Sequence, residues 1–319
     1  MRRRFDPLVT FNVPETGGGQ VVPVAGPEIY VDTVKGAAGR SGQSWEKAIS
    51  TMDEAFDKLA EYELDTGVNV NHAAIYVIGT VAEQLTAPLG VQGVKIIGCA
   101  GGRPRHDDGV RWKEAATATN APLLTLREQG WELHNILMVP ETGYSAIRAH
   151  RAESATYPDS SHFIVRGCKF IGNVAIGSAG GIGIEDWGGN HHYLVEDCEF
   201  NELVSAIIAP AGSPGIAAPL RNTIRRNVFS GNTHDIRMDG SRCIVQGNIF
   251  RTKYHGTTHP STVNLAYTSD VATGNTVIDN YFADAAADVT IAKGYKPSTG
   301  DVWRNKVTNT AADIVAVPA

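Results

Sequence analysis

Basic residues are too few in this chain to favour a nucleic-acid partner. The 319 residues contain 28 Lys and Arg but 34 Asp and Glu, which gives a formal net charge of −6 at pH 7. Nucleic-acid-binding domains usually show the opposite balance. Long apolar runs are missing too: none reaches the ~18 residues of a membrane-spanning helix, and the arginines at positions 2–4 precede no apolar signal segment. We therefore expect no nucleic-acid partner, no membrane insertion and no signal peptide.

Cysteine is scarce as well, and its positions do not suit a metal site. The four cysteines Cys99, Cys168, Cys198 and Cys243 are far apart in the sequence, whereas zinc ligands come in closely spaced pairs. The sequence predicts no metal and no cofactor.

A short sequence motif, which we call the repeated phrase, recurs six times between residues 163 and 317. An apolar residue is followed three positions later by Asn or Cys and, in five copies, two positions after that by Phe. A fixed phrase at variable spacing is typical of a solenoid, whose equal coils are joined by loops of different length. The copies begin at Val165, Val195, Ile224, Val245, Val277 and Val302.

The phrase predicts two columns of stacked side chains. Asn adopts left-handed backbone more easily than most residues, so its position suits a sharp corner, with amides that hydrogen-bond along the stack. The Phe rings are expected to form a dry interior column. Cys168 and Cys198 take the Asn position in the first two copies and are interpreted as buried fillers, with a disulfide between them as the alternative. The predicted ladder consists of Phe170, Phe200, Phe229, Phe250, Phe282, Asn227, Asn248, Asn280 and Asn305. Upstream, Asn135 and Leu137 echo the Asn-x-Phe spacing.

A second apolar series advances in step with the phrase and indicates a further strand in each coil. Its members are Ile182 with Ile184, Ile207, Ile236 with Met238, Val263 with Leu265, Val289 with Ile291, and Ile314 with Val315 and Val317. The two series together resemble the single-stranded right-handed parallel β-helix, the all-β, pectate-lyase-like fold that many phage tailspikes also use. The resemblance implies a fold and says little about activity, because one fold hosts many functions.

Three segments are expected along the chain. Residues 1–27 read as an extended arm, residues 28–73 as an amino-terminal cap, and residues 74–319 as the β-helix. Within the cap, Ser44 is expected to begin an amphipathic α-helix at about 44–60 that buries Trp45, Met52 and Phe56. The last apolar strand lies close to the final residue, so the end of the coil is expected to be covered by a neighbouring subunit.

Catalytic candidates are confined to a few acidic residues near glycine-rich turns. A glycoside hydrolase needs two carboxyl groups about 5–10 Å apart, and Glu185 with Asp197 or Asp235 is the best available combination. Trp187 is a candidate for stacking on a sugar or for contacting another subunit. A lyase would need a Ca²⁺ site and a basic residue; Arg225 and Arg226 lie near Asp197, but salt bridges among them are the preferred interpretation.

Two functions of different classes follow. The preferred one, implied by the resemblance, is a phage virion structural protein, a homotrimer that decorates the capsid or forms part of a tail spike. It would be made in the host cytoplasm, bind other virion proteins through its arm, and contact host surface polysaccharide. The alternative is a polysaccharide-degrading enzyme of the same fold, a glycoside hydrolase or a lyase.

Overall fold

Parallel strands follow one another in successive coils, which confirms the predicted parallel β-helix. The computed structural model describes residues 26–66, 72–99, 109–115, 120–150, 160–172, 180–187, 190–209, 220–238, 240–251, 253–254, 257–258, 263–266, 274–283 and 302–307. Residues 1–25 of the predicted arm lie outside these ranges, as do Val289, Ile291 and Ile314. The division into arm, cap and β-helix stays a prediction.

The first series of strands runs the length of the β-helix, and each strand pairs in parallel and in register with its counterpart one coil away. Apolar residues alternate with outward-facing polar ones, as a strand with one buried face requires. Its strands are β1 Glu28–Asp32, β2 Ala74–Ile78, β5 Lys95–Gly98, β8 Glu132–His134, β11 Ile164–Arg166, β14 Leu194–Glu196, β17 Thr223–Arg225, β20 Ile244–Gln246 and the first halves of β25 Thr276–Ala283 and β26 Val302–Val307.

The second series follows the first around each coil after a sharp bend. Because β25 and β26 belong to both series, all these strands form one 17-stranded sheet. The second series contains β3 Thr80–Ala82, β6 Val110–Lys113, β9 Ile136–Val139, β12 Lys169–Ile171, β15 Glu199–Asn201, β18 Val228–Ser230, β21 Ile249–Arg251 and the second halves of β25 and β26.

The third series forms a separate 7-stranded parallel sheet. Ile184, Ile207, Ile236 and Leu265 are register partners in it, so those members of the second apolar series that the structure describes form strands as predicted. Its strands are β4 Leu85–Thr86, β7 Leu124–Leu126, β10 Ser145–His150, β13 Ile182–Trp187, β16 Ser205–Ala209, β19 His234–Met238 and β24 Val263–Ala266. Two further strands, β22 Lys253–Tyr254 and β23 Thr257–Thr258, pair antiparallel with each other.

Five phenylalanines stack inside the coil, as the repeated phrase predicted. Ring centroids of Phe170 and Phe200 are 4.6 Å apart, and those of Phe200 and Phe229 are 5.1 Å apart. The stack continues to Phe250 at 4.9 Å and to Phe282 at 4.7 Å, with ring planes within 8° of parallel throughout. The spacing matches the separation of neighbouring strands, about 4.8 Å, so each ring packs against the ring of the next coil.

The asparagine column lies inside the bend between the first and second series. The amide Nδ2 of Asn227 donates to Oδ1 of Asn248 at 3.1 Å, and Nδ2 of Asn248 donates to Oδ1 of Asn280 at 2.9 Å. The same oxygens accept from the backbone N–H groups of Asn227 and Asn248, each at 2.9 Å. These side chains are fully buried or nearly so, and they satisfy backbone donors that the bend leaves unpaired. The side chain of Asn305 lies outside what the structure describes.

The prediction that these asparagines take the left-handed conformation is wrong. The residue before each of them does so, with φ values of 56°, 64° and 56° at Arg226, Gly247 and Asp279. Asn135 belongs to that left-handed position, with φ 56°. Leu137 therefore pairs with Lys169 and not with a phenylalanine, so the predicted echo was displaced by one residue.

The amino-terminal helix α1, Met52–Thr66, begins later than predicted. Residues 45–47 form a short 3₁₀ turn, and Ser44 makes no side-chain capping bond. The backbone of Ile49 pairs with the first strand instead, donating to Tyr30 at 3.0 Å, so a continuous helix from residue 44 is impossible. Trp45 is consequently 37 % exposed. No helix among the described residues has the length and apolar character needed to span a lipid bilayer.

Candidate functional site

An arginine–glutamate pair stands on the outer face of the third series. Arg148 on β10 and Glu185 on β13 are direct register partners, and alternation along the strand turns both away from the core. The Nε of Arg148 donates to Oε2 of Glu185 at 2.9 Å, and the hydroxyl of Ser145 donates to the same oxygen. The side chains of Arg148 and Glu185 retain 26 % and 15 % of their exposure, respectively, so the pair is accessible from one side.

An exposed tryptophan adjoins this pair. Trp187, at the end of β13, is 46 % exposed, and its ring centroid lies 5.0 Å from the guanidinium carbon of Arg148. His150, its register partner on β10, meets the ring edge-on with centroids 5.4 Å apart. An aromatic face beside hydrogen-bonding charged groups presents apolar and polar contacts together. We call Arg148, His150, Glu185 and Trp187 the Trp187 cluster.

The structure does not bring the three predicted acidic residues together. Asp197 lies at the bend between β14 and β15, where its backbone has φ 56°. Asp235 is completely buried in β19, and its Oδ1 accepts from Nδ2 of Asn232 at 2.9 Å. Glu185 occupies the outer face of the third series. The pairing of Glu185 with either aspartate was expected from coil spacing alone, which does not reveal the face on which a side chain lies.

Arginines hold the acidic residues of the bend, as the salt-bridge interpretation predicted. Glu196 is contacted by Arg166, by Nε of Arg225 at 2.6 Å and by Nη2 of Arg226 at 2.6 Å. Arg226 also donates to Asp197 through Nε at 2.8 Å and Nη2 at 3.0 Å. These contacts run from coil to coil along the outside of the β-helix and form a charged network.

The network keeps its carboxylates ionised. Burial raises the pKa of Glu196, but hydrogen bonds from Arg225 and Arg166 outweigh it and lower the pKa below its ordinary value. The hydrogen bond from Arg226 lowers the pKa of Asp197. A general acid needs the opposite shift, so neither residue is suited to donate a proton at neutral pH.

Sequence reasoning missed Arg148, Ser145 and His150. All three lie on β10, which contains only one large aliphatic residue, Ile147, and has no copy of the repeated phrase near it. Aligning Ile147 with Ile184 would have placed Arg148 beside Glu185 and His150 beside Trp187.

Cys168 and Cys198 are buried free thiols, which agrees with the filler interpretation, and the alternative disulfide is not formed. Across the described residues, no group of three His, Cys, Asp or Glu side chains is arranged to hold a metal ion.

Comparison with solved structures assigns the coils to a known fold. Pectate lyase Pel9A aligns with a TM-score of 0.51 at 12 % identity, over 90 % of this chain and 78 % of its own. The pectin methylesterase from Aspergillus niger, in deglycosylated form, has a TM-score of 0.48 at 13 % identity, over 89 % of this chain and 85 % of its own. Dettilon tailspike protein has a TM-score of 0.33 at 11 % identity, over 88 % of this chain and 68 % of its own. No protein-family model and no curated protein sequence matches the chain.

The similarity to the pectate lyase establishes a right-handed parallel β-helix of the pectate-lyase-like type. At 12 % identity it concerns the fold alone.

Proposed function

We propose that this protein is a structural component of a bacteriophage virion, a homotrimeric β-helical shaft that decorates the capsid or forms part of a tail spike. The observation that carries the proposal is the charged network around Glu196, which links three successive coils through Arg166, Glu196, Arg225 and Arg226. Together with the stacked Phe and Asn columns, it stiffens the coil along its axis, which is what a shaft requires. The resemblance to the fold of phage tailspikes supports the virion assignment.

The residues at 1–27 would anchor the shaft to other virion proteins, and the Trp187 cluster would meet the host surface. An exposed Trp ring can stack on a sugar while Arg148 and Glu185 hydrogen-bond its hydroxyl groups. We expect Trp187→Ala to weaken binding of host surface polysaccharide without lowering the melting temperature. Phe229→Ala serves as the opposite control, since it should unfold the coil and remove binding only through loss of folded protein.

The assignment is tested by mass spectrometry of purified virions. The chain should be present at a fixed copy number divisible by three, and the recombinant protein should be trimeric by light scattering. A 34.1 kDa monomer at micromolar concentration, or absence of the chain from intact particles, would contradict the proposal.

A polysaccharide-degrading enzyme is the second candidate, and the carboxylate of Glu185 within the Trp187 cluster is the observation that supports it. Glu185 is a partly exposed carboxylate next to a potential sugar-stacking ring, although the expected second carboxylate, Asp197 or Asp235, is not beside it. Incubation with bacterial capsular and lipopolysaccharide glycans would decide. Release of oligosaccharides that disappears with Glu185→Gln but persists with Glu199→Gln supports the enzyme; intact glycan with bound protein supports the structural role.

A further inference from the structure

A second corner of the coil carries four nitrogen-bearing side chains in a row. It lies two residues before the strands of the first series, where the chain arrives from the third series. The residues are His162, His192, Arg221 and Arg242, all exposed, and we call them the corner row. They stand in successive coils, because the register pairs the strands that follow them: Ile164 with Leu194, Leu194 with Thr223, and Thr223 with Ile244.

Backbone hydrogen bonds hold the row in line. The N–H of His162 donates to His191 at 2.9 Å, that of His192 donates to Leu220 at 3.0 Å, and that of Arg221 donates to Ser241 at 3.1 Å. The imidazoles of His162 and His192 are stacked with centroids 5.1 Å apart and planes 6° from parallel. The four residues therefore follow one another along the axis at about one strand separation each, ~4.8 Å.

All four residues have left-handed backbone, with φ values of 64°, 59°, 56° and 55° for His162, His192, Arg221 and Arg242. This conformation suits glycine and strains other residues. Glycine fills the equivalent place in three other coils, as Gly93, Gly130 and Gly274, and His72 fills it before β2 with φ 66°. Glycine is therefore sufficient for the fold at this place, and four strained residues in consecutive coils point to a role outside folding.

The bend between the first and second series also contains residues with left-handed backbone, and two of these are paired. Asp197 and Arg226 bind each other there, with Nε to Oδ1 at 2.8 Å. A salt bridge from coil to coil therefore accounts for these two strained residues. Within the part of the chain that the structure describes, neither Arg221 nor Arg242 forms a salt bridge. No Asp or Glu occurs within two residues of any member of the corner row, in a chain with 34 acidic residues.

We propose that the corner row binds a linear polysaccharide that carries carboxylate groups. Guanidinium groups pair with carboxylates through two parallel hydrogen bonds, and imidazoles add planar N–H donors at the same spacing. Beside the row stand the apolar side chains of Leu194 and Ile244, the latter 39 % exposed, which suit the C–H faces of sugar rings. A duplex nucleic acid carries one charge per ~1.7 Å, far more than two arginines in four coils can neutralise. The corner row shares no residue with the Trp187 cluster, and binding there is compatible with an enzyme and with a virion shaft alike.

Binding of hyaluronan, which has one carboxylate per disaccharide, tests the proposal. Isothermal titration of the full chain should give binding that weakens with salt, while neutral dextran gives none. The double variant Arg221→Gly/Arg242→Gly should lose at least about tenfold in affinity, the effect of removing a charge-assisted pair. Its melting temperature should not fall, because glycine relieves the left-handed strain. The variant His162→Gly/His192→Gly should also weaken binding while it stays folded.

The matched control is Arg111→Gln/Arg251→Gln, which removes the same charge from exposed positions on the second series. It should retain the affinity of the unmodified protein. Absence of hyaluronan binding, an equal loss in the control, or tighter binding of poly-L-glutamate or single-stranded DNA than of hyaluronan would overturn the proposal.

Discussion

The carboxylate of Glu83 accepts hydrogen bonds from the first two amides of helix α1, at 3.0 Å from Met52 and 2.8 Å from Asp53. Glu83 lies on the first coil, between β3 and β4, and its own carbonyl accepts from Nε1 of Trp112 at 2.8 Å. A carboxylate at a helix amino terminus satisfies unpaired N–H groups and complements the helix dipole. The helix is therefore fastened to the β-helix by a residue distant in sequence.

Replacing Glu83 with Ala should destabilise the protein by about 0.5–2 kcal/mol, the usual effect of removing a helix cap. Chemical denaturation measures the difference. Asp57→Ala, which removes an exposed carboxylate from the same helix, should change stability by less than about 0.5 kcal/mol. Equal effects of the two substitutions would show that Glu83 contributes only its charge.

Truncating a single asparagine of the buried column should lower the free energy of unfolding considerably. Asn248→Ala removes an oxygen that accepts from Asn227 and an amide that donates to Ile224 at 3.0 Å. Each buried group left without a partner costs about 1–3 kcal/mol, so we expect a loss of at least ~2 kcal/mol in urea denaturation. Cys168→Ala, at the same place in an earlier coil, should be milder because no Asn side-chain bond is lost there.

The repeated phrase made the interior of the coil predictable, and the outer face was much less so. Phe200 and Phe229 could be placed because burial restricts their positions to apolar residues at a fixed offset. Arg148 could not, because outward positions accept many residue types and its partner Glu185 lies 37 residues away. The sequence also indicated a bend near each repeated asparagine, but not which residue takes the left-handed conformation. Arg226 does so, with φ 56°, while the side chain of Asn227 is buried in the interior.

The predicted start of helix α1 was wrong for a related reason. The apolar spacing around Trp45 and Ile49 is compatible with a helix, but Ile49 bridges to Val31 in the first strand. Tertiary pairing decided the backbone conformation there, and local spacing does not report such a pairing. The Trp187 cluster was found only in part, through Glu185 and Trp187, since β10 has no repeated phrase to mark its register.

Gly172 should not tolerate a side chain. A Cβ at this position would lie 1.7 Å from the carbonyl oxygen of Glu202 on the next coil, so the two backbones would have to separate. We expect Gly172→Ala to lower the free energy of unfolding as overpacking of a core does, by about 1–3 kcal/mol or more, and to lower the melting temperature with it. Gly143→Ala is the control, because a Cβ there meets nothing within 4 Å. Its left-handed backbone, with φ 82°, costs about 1–2 kcal/mol, so Gly172→Ala should be the more damaging change.

Low pH should protonate Glu196 and so weaken the salt bridges of the charged network around it. The arginine contacts lower the pKa of this residue below its unfolded value of about 4.3. The stabilisation is therefore fully present above that value and is lost as pH falls through the lower pKa of the folded state. At neutral pH, Glu196→Gln should destabilise the protein by about 1–3 kcal/mol, since charge-assisted bonds to a nearly buried carboxylate are lost.

The difference between Glu196→Gln and the unmodified protein should shrink when urea denaturation is repeated at about pH 3, below the unfolded pKa of a glutamate. Glu61→Gln, on the exposed side of α1, should show little difference at either pH. A gap that stayed constant or widened in acid would mean that Glu196 is not held ionised by Arg166 and Arg225. The network would then contribute packing alone, and the stiffness attributed to it would have to come from the Phe and Asn columns.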